Sequence, residues 1–257
     1  MADELLHIGD GFWNIRGSYR LAGVLNIGTQ CSLVRLARGG FVLLDSYTLS
    51  GEVEREVMGL TDEGRAIEAV LNLHPYHTEH VRPVAERLPH AKLYGTARHV
   101  EREPGLPWER LLTTDPELHD LFARDLEFSV PRGVDFISDN EKVHFSSVLA
   151  FHDASRTLHV DDTLTWTELP LIGGLRFHPT LRWALQDDPA AVPAFRAWAN
   201  ALIARCETIE HICTAHMRSS APDAGEDGLS VADRVREAFK DVDDLLSRHA
   251  REHASGA

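Results

Sequence analysis

The 257-residue chain carries a net charge of −14, which argues against nucleic acid or an anionic membrane as partner, since both reward basic patches. Its length suffices for one large core, and no run approaches the roughly 18–20 apolar residues of a membrane span. Cys31, Cys206 and Cys213 form no CxxC pair, and "MADELLHIGDG" lacks the basic-then-apolar pattern of a secretory signal, so reduced thiols in a cytoplasmic protein are expected.

In chain order, "GFWNIRG" (11–17) alternates as a strand, and "CSLVRLARGGFVLLDS" (31–46) reads as two β-rich runs around Gly39-Gly40. The second run ends in Asp45. Val53, Val57 and Leu60 repeat at helical spacing over 50–60. "AIEAVLNL" (66–73) is a continuous apolar run, as expected of a strand buried on both faces. Immediately after it, "HPYHTEH" sets His74, His77, Glu79 and His80 within seven residues. A short helix, "RPVAERLP", and a strand, "AKLYGT" (91–96), complete an α/β rhythm. Residues 101–130 read as a surface excursion with helical pieces. "SSVLAFHDASRTLHVDD" (146–162) is a second hairpin ending in paired aspartates. Residues 189–206 form an amphipathic helix, and "IEHICTAHM" (209–217) is a last buried strand ending in His216. A polar break over 218–228 separates this domain, residues 1–228, from a charged helix over 229–257 that packs on it or extends from it.

Asp45, the His74 cluster, Asp161/Asp162 and His216 all follow apolar strands. Open α/β sheets build their sites at that strand edge, so these residues can converge although they are distant in sequence. Histidine with carboxylate from several strand ends is a donor set suited to zinc, manganese or iron. On one strand, His159 and Asp161 share a face and Asp162 takes the other. His152 and His178 read as structural or substrate-contacting residues, and Trp108, Trp166 and Trp183 as loop aromatics near the site mouth or packed beneath it. No Gly-rich phosphate loop and no G-x-S-x-G elbow competes for the chemistry.

The order of four motifs resembles the metallo-β-lactamase fold superfamily. "GGFVLLDS" is similar to its early strand ending in "LIDTG", "VLNLHPYHTEH" stands where the superfamily has T-H-x-H-x-D-H, "LHVDDTL" looks like its "TGDxL", and "EHICTAHM" matches its last metal strand. The resemblance runs from about residue 11 to 217 and implies an αββα sandwich of two mixed β-sheets flanked by helices. Carried across residue by residue, it implies His74 as the first metal histidine. Tyr76 occupies the second position, so with one inserted residue His77, Glu79 and His80 match the "H-x-D-H" half. It further implies His144 on the third metal strand, Asp162 as the bridging carboxylate and His216 as the last ligand.

The insertion has a physical consequence. A shift of one residue in extended chain turns a side chain to the opposite face, so His74 and His77 share a metal only if the loop coils between them. On this basis one well-defined metal and a weaker second are expected, with His74 mattering less than His80. The resemblance implies a metal-dependent hydrolase: metal-bound hydroxide attacks an ester, lactone, thioester or phosphoester, with Asp162 and Glu79 serving the chemistry. It implies one or two transition-metal ions, zinc foremost, with iron or manganese as alternatives, a small-molecule substrate, and a homodimer as an allowed assembly. The alternative is a non-catalytic or iron-binding protein of the same fold, with a binding or oxidoreductase role.

Overall fold

The structure is a computed structural model, which describes residues 3–21, 25–167, 173–216 and 228–254. Two mixed sheets carry the architecture. The first has six strands in the order Glu4–Gly9, Phe12–Gly17, Thr29–Arg35, Phe41–Leu44, Ile67–Leu71, Lys92–Tyr94. Its first four strands are joined antiparallel, whereas Phe41–Leu44, Ile67–Leu71 and Lys92–Tyr94 run parallel. The second has four strands, His211–Thr214, Thr157–Val160, Leu149–His152 and Glu127–Ser129, with the first two parallel.

Alternation along each strand sorts side chains between layers. Val42, Leu44, Ala69 and Leu71 point inward and meet Val148, Ala150 and Cys213 of the second sheet. Leu43, Val70 and Leu93 point outward beneath Val53 and Val57 of the helix Gly51–Leu60 and Val84 of the helix Val81–Arg87. On the far side, Leu149, Phe151, Leu158 and Ile212 pack under Phe195, Ala199 and Leu202 of the helix Ala191–Arg205. The layers therefore stack helix, sheet, sheet, helix, as the family resemblance implies. Each fully buried Leu, Val or Phe contributes on the order of 1.5–3 kcal/mol of transfer free energy.

Several boundaries differ from the sequence reading. Glu4–Gly9 forms an edge strand paired with Phe12–Gly17, and its half-exposed side chains left no clear alternation to find. The charged C-terminal segment is two helices, Val231–Asp241 and Asp243–His253, with the break at Val242. Both contribute to the outer core of the second sheet through Val231, Val235, Ala238 and Leu246. A capping box between Ser230 and Asp233 starts the first of them. Most of the break expected over 218–228 lies outside the described residues. Among the described residues no helix is long and apolar enough to cross a membrane. The three cysteines are buried and unpaired.

Candidate metal centre

Parallel pairing brings the ends of four strands to one edge. Asp45 follows Leu44, His74 follows Leu71 by three residues, Asp161 and Asp162 follow Val160, and His216 follows Thr214 by two. The Asp45 backbone lies in the left-handed region (φ 63°), a costly conformation for a non-glycine residue. It directs the Asp45 carboxylate across to the neighbouring strand end, where Oδ1 accepts the amides of Leu73 (2.8 Å) and His74 (3.4 Å). The segment bearing the histidine cluster is thereby tied to the strand beside it.

The inserted residue is absorbed by a turn. The His77 amide donates to the His74 carbonyl (3.2 Å), so the chain coils over His74-Pro75-Tyr76-His77 instead of running extended. Both imidazoles then face the same way, with centroids 4.1 Å apart. His74 Nε2 is 3.3 Å from Asp162 Oδ2, and His77 Nε2 is 3.9 Å from the same oxygen. His216 Nε2 approaches the other oxygen, Asp162 Oδ1, at 3.2 Å, while its Nδ1 donates to the Gly28 carbonyl (2.7 Å).

Burial and charge act together here. Burial lowers His74 to about 4 and His77 to about 3, so both are neutral donors at pH 7. Burial also works against the Asp162 carboxylate, but His216, His74 and His77 outweigh it and hold that carboxyl well below its usual range. The His216 imidazole loses stability as a cation through burial, yet the Asp162 charge more than compensates and its pKa is raised. Behind this group lie Asp45, His159 and Asp161. Burial pushes Asp45 up to about 6 and, with the Asp45 charge added, Asp161 up to about 7.

A transition metal fits the outer group. His74, His77 and Asp162 each offer a ligand atom, all within 4.8 Å of one another. Asp162 Oδ1 is fully buried and faces the His216 imidazole (3.2 Å), while Oδ2 faces those of His74 and His77. Two imidazoles and a carboxylate are a donor set for catalytic zinc and for non-haem iron. The group opens on a cavity of about 210 Å³ whose lining includes His77, Glu79, His80, His144 and His216.

The remaining sequence-derived candidates stand apart from this group. Glu79 is exposed at the cavity mouth. His80 is turned away, with Nδ1 bonded to Thr48 Oγ1 (2.9 Å) and its ring 4.8 Å from Tyr47. His144 stacks on Tyr76 (4.6 Å) with its Nε2 on the Glu141 carbonyl, and its ring lies 6.3 Å from that of His74. His74, and not His80, is thus the residue that the fold brings to the Asp162 carboxylate. The cause is the turn, which uses up the inserted residue before Glu79 is reached. His152 and His178 make local bonds to Ser155 and Thr180. Of the tryptophans, Trp166 is buried in the outer core, Trp108 donates to the Glu103 carbonyl and Trp183 is exposed; none lines the cavity.

A buried polar wall under the site was not singled out from the sequence. Asn14, Gln30 and Ser32 point between the sheets, with Gln30 Nε2 donating to the carbonyls of Val160 (3.0 Å) and Cys213 (3.2 Å). The signal was available: Gln30 and Ser32 are polar at a period of two on either side of Cys31 and ahead of Leu33-Val34.

No family model matches the chain, and no curated protein does. Solved structures match along nearly its whole length. A metallo-β-lactamase from Erythrobacter litoralis, with β-mercaptoethanol in its active site, superposes with a TM-score of 0.61 at 14% identity, covering 96% of both chains. The metallo-β-lactamase FIM-1 from Pseudomonas aeruginosa in its mono-zinc form gives 0.57 at 13% identity, over 99% of this chain and 97% of that one. A metallo-β-lactamase from Hirschia baltica gives 0.57 at 14%, over 98% and 97%.

Proposed function

We propose that this chain, which has the metallo-β-lactamase fold, is a metal-dependent hydrolase acting on a small ester, lactone, thioester or phosphoester. The observation that carries this reading is the convergence of His74, His77 and Asp162 on one point behind an open cavity that His77 and His216 line. A divalent metal held there supplies Lewis-acid polarisation of a substrate oxygen and lowers the pKa of a water towards neutrality. His74 and His77, neutral at physiological pH, are ready donors for it. Asp162, held ionised, supplies the compensating charge and fixes His216 against the cavity wall. A carboxyl so strongly acidic is an acceptor and orienting group, not a general acid. Glu79 and His80, at the mouth, contact substrate and do not ligate. Zinc suits the donors best. Two histidines and one carboxylate are also the set used by non-haem iron, so an iron-dependent oxidoreductase is the second reading.

The test is metal analysis of the chain purified without added metal and after loading with zinc, manganese or iron, followed by an ester, lactone, thioester and phosphodiester screen. Wild type should turn over at least one class, and His77→Ala and Asp162→Asn should fall to background. Metal-independent turnover, or full activity in both variants, would overturn the reading.

A further inference from the structure

Asp45, His159 and Asp161 lie behind the cavity, none exposed by more than 1%, and none of them lines it. His159 Nε2 is 3.1 Å from Asp45 Oδ2 and 3.9 Å from Asp161 Oδ2. The three residues each bring one ligand atom to a common point, all within 4.8 Å of one another. The opposite atom of each is already held. Asp45 Oδ1 accepts the Leu73 amide (2.8 Å), His159 Nδ1 is bonded to Ser32 Oγ (2.9 Å), and Asp161 Oδ1 accepts from Gln30 Nε2 (3.3 Å). Outer partners of this kind orient the ligands of a metal.

The inward atoms of His159 and Asp45 hydrogen-bond to each other (Nε2 to Oδ2, 3.1 Å), which leaves that of Asp161. Asp161 Oδ2 is fully buried and makes no hydrogen bond. The ion-pair neighbours of the two carboxylates are imidazoles, His159 and His77. A fully buried carboxylate oxygen without a hydrogen bond is costly in an interior, and a cation satisfies it. With metal–ligand bonds of about 2.0–2.2 Å, neighbouring donors in a tetrahedral site sit about 3.4 Å apart. The 3.1 and 3.9 Å separations bracket that spacing.

We propose that Asp45, His159 and Asp161 form a second, closed metal site that takes a divalent transition ion such as zinc or manganese. It shares no ligand with the outer group and does not depend on that group being catalytic. Enclosed between the sheets, its ion acts structurally: it ties the ends of Phe41–Leu44 and Thr157–Val160 together across the sandwich.

The experiment is a titration of the metal-free full chain with zinc, then manganese, counting ions per chain by elemental analysis after desalting and following affinity by calorimetry. Wild type should bind two ions, and His159→Gln and His74→Ala one each. Ser32→Ala removes the anchor of His159, together with an acceptor of Asn14 Nδ2 (3.0 Å), but keeps all three ligands should His159→Gln misfold. It should weaken one of the two sites by roughly ten- to a hundredfold and leave the other unchanged. Saturation of wild type at one ion, with no change in Ser32→Ala and with its loss in His74→Ala, would overturn the proposal and leave the inner carboxyls holding a proton. One ion that survives His74→Ala but is lost in His159→Gln would uphold the inner site and reject the outer one.

Discussion

His74 Nε2 stands 3.3 Å from Asp162 Oδ2 in an environment closed to solvent, joining the end of the strand Ile67–Leu71 to the end of Thr157–Val160. His80 has no such relationship, being bonded to Thr48 instead. His74→Ala should therefore abolish tight metal binding at the outer centre, and His80→Ala should leave the bound stoichiometry unchanged. Elemental analysis of the two purified variants checks this, and a loss of metal in His80→Ala would contradict it.

Metal removal should lower stability. A ligand that binds only the folded chain stabilises it by about 2.7 kcal/mol when present at a hundred times its Kd. A chelator should lower Tm, and re-adding zinc should restore it. In His77→Ala the chelator-sensitive shift should shrink, because one imidazole of the outer group is missing. An identical shift in wild type and variant would assign the stabilisation elsewhere.

The metal-free chain should show an acid-side loss of stability set by buried neutral histidines. Burial lowers His74 and His99 to about 4 and His77 to about 3. Between pH 6.5 and about 4 the unfolded chain therefore binds protons there that the folded chain does not, and stability falls with falling pH. Asp161, raised to about 7, has the opposite sign: the folded chain keeps a proton that the unfolded chain has lost. Asp161→Asn removes that offset. Its stability should fall more steeply between pH 6.5 and 4, by up to about 1.4 kcal/mol per pH unit, in urea titrations of the metal-free proteins. Parallel pH curves would count against a protonated Asp161.

Leu71 is fully buried where the two sheets meet, one residue before the segment that leads to His74. Leu71→Ala should cost about 2–5 kcal/mol, through lost transfer energy and the cavity left behind. Chemical denaturation measures the cost. A loss below about 1 kcal/mol would mean that the site closes around the missing side chain.

By itself, the sequence determined the layered architecture and the edge on which the site lies. Apolar runs with period two or none mark the central strands. Asp45, His74, Asp162 and His216 stand at their C-terminal ends, and parallel pairing then brings those ends together. Tertiary structure alone decided which histidines meet. Linear spacing puts His74 and His77 on opposite faces of an extended chain, and the register rule favoured His80. The turn closed by the His77 amide on the His74 carbonyl changes the period locally from two to about three, rotating His77 back over His74 and leaving His80 against Thr48. The inner group of Asp45, His159 and Asp161 was equally hidden. His159 and Asp161 share a face at the end of one strand, but Asp45 comes from the other sheet, so the shared point exists only once the two sheets are packed, when Ser32 and Gln30 of a third strand fix the directions of His159 and Asp161.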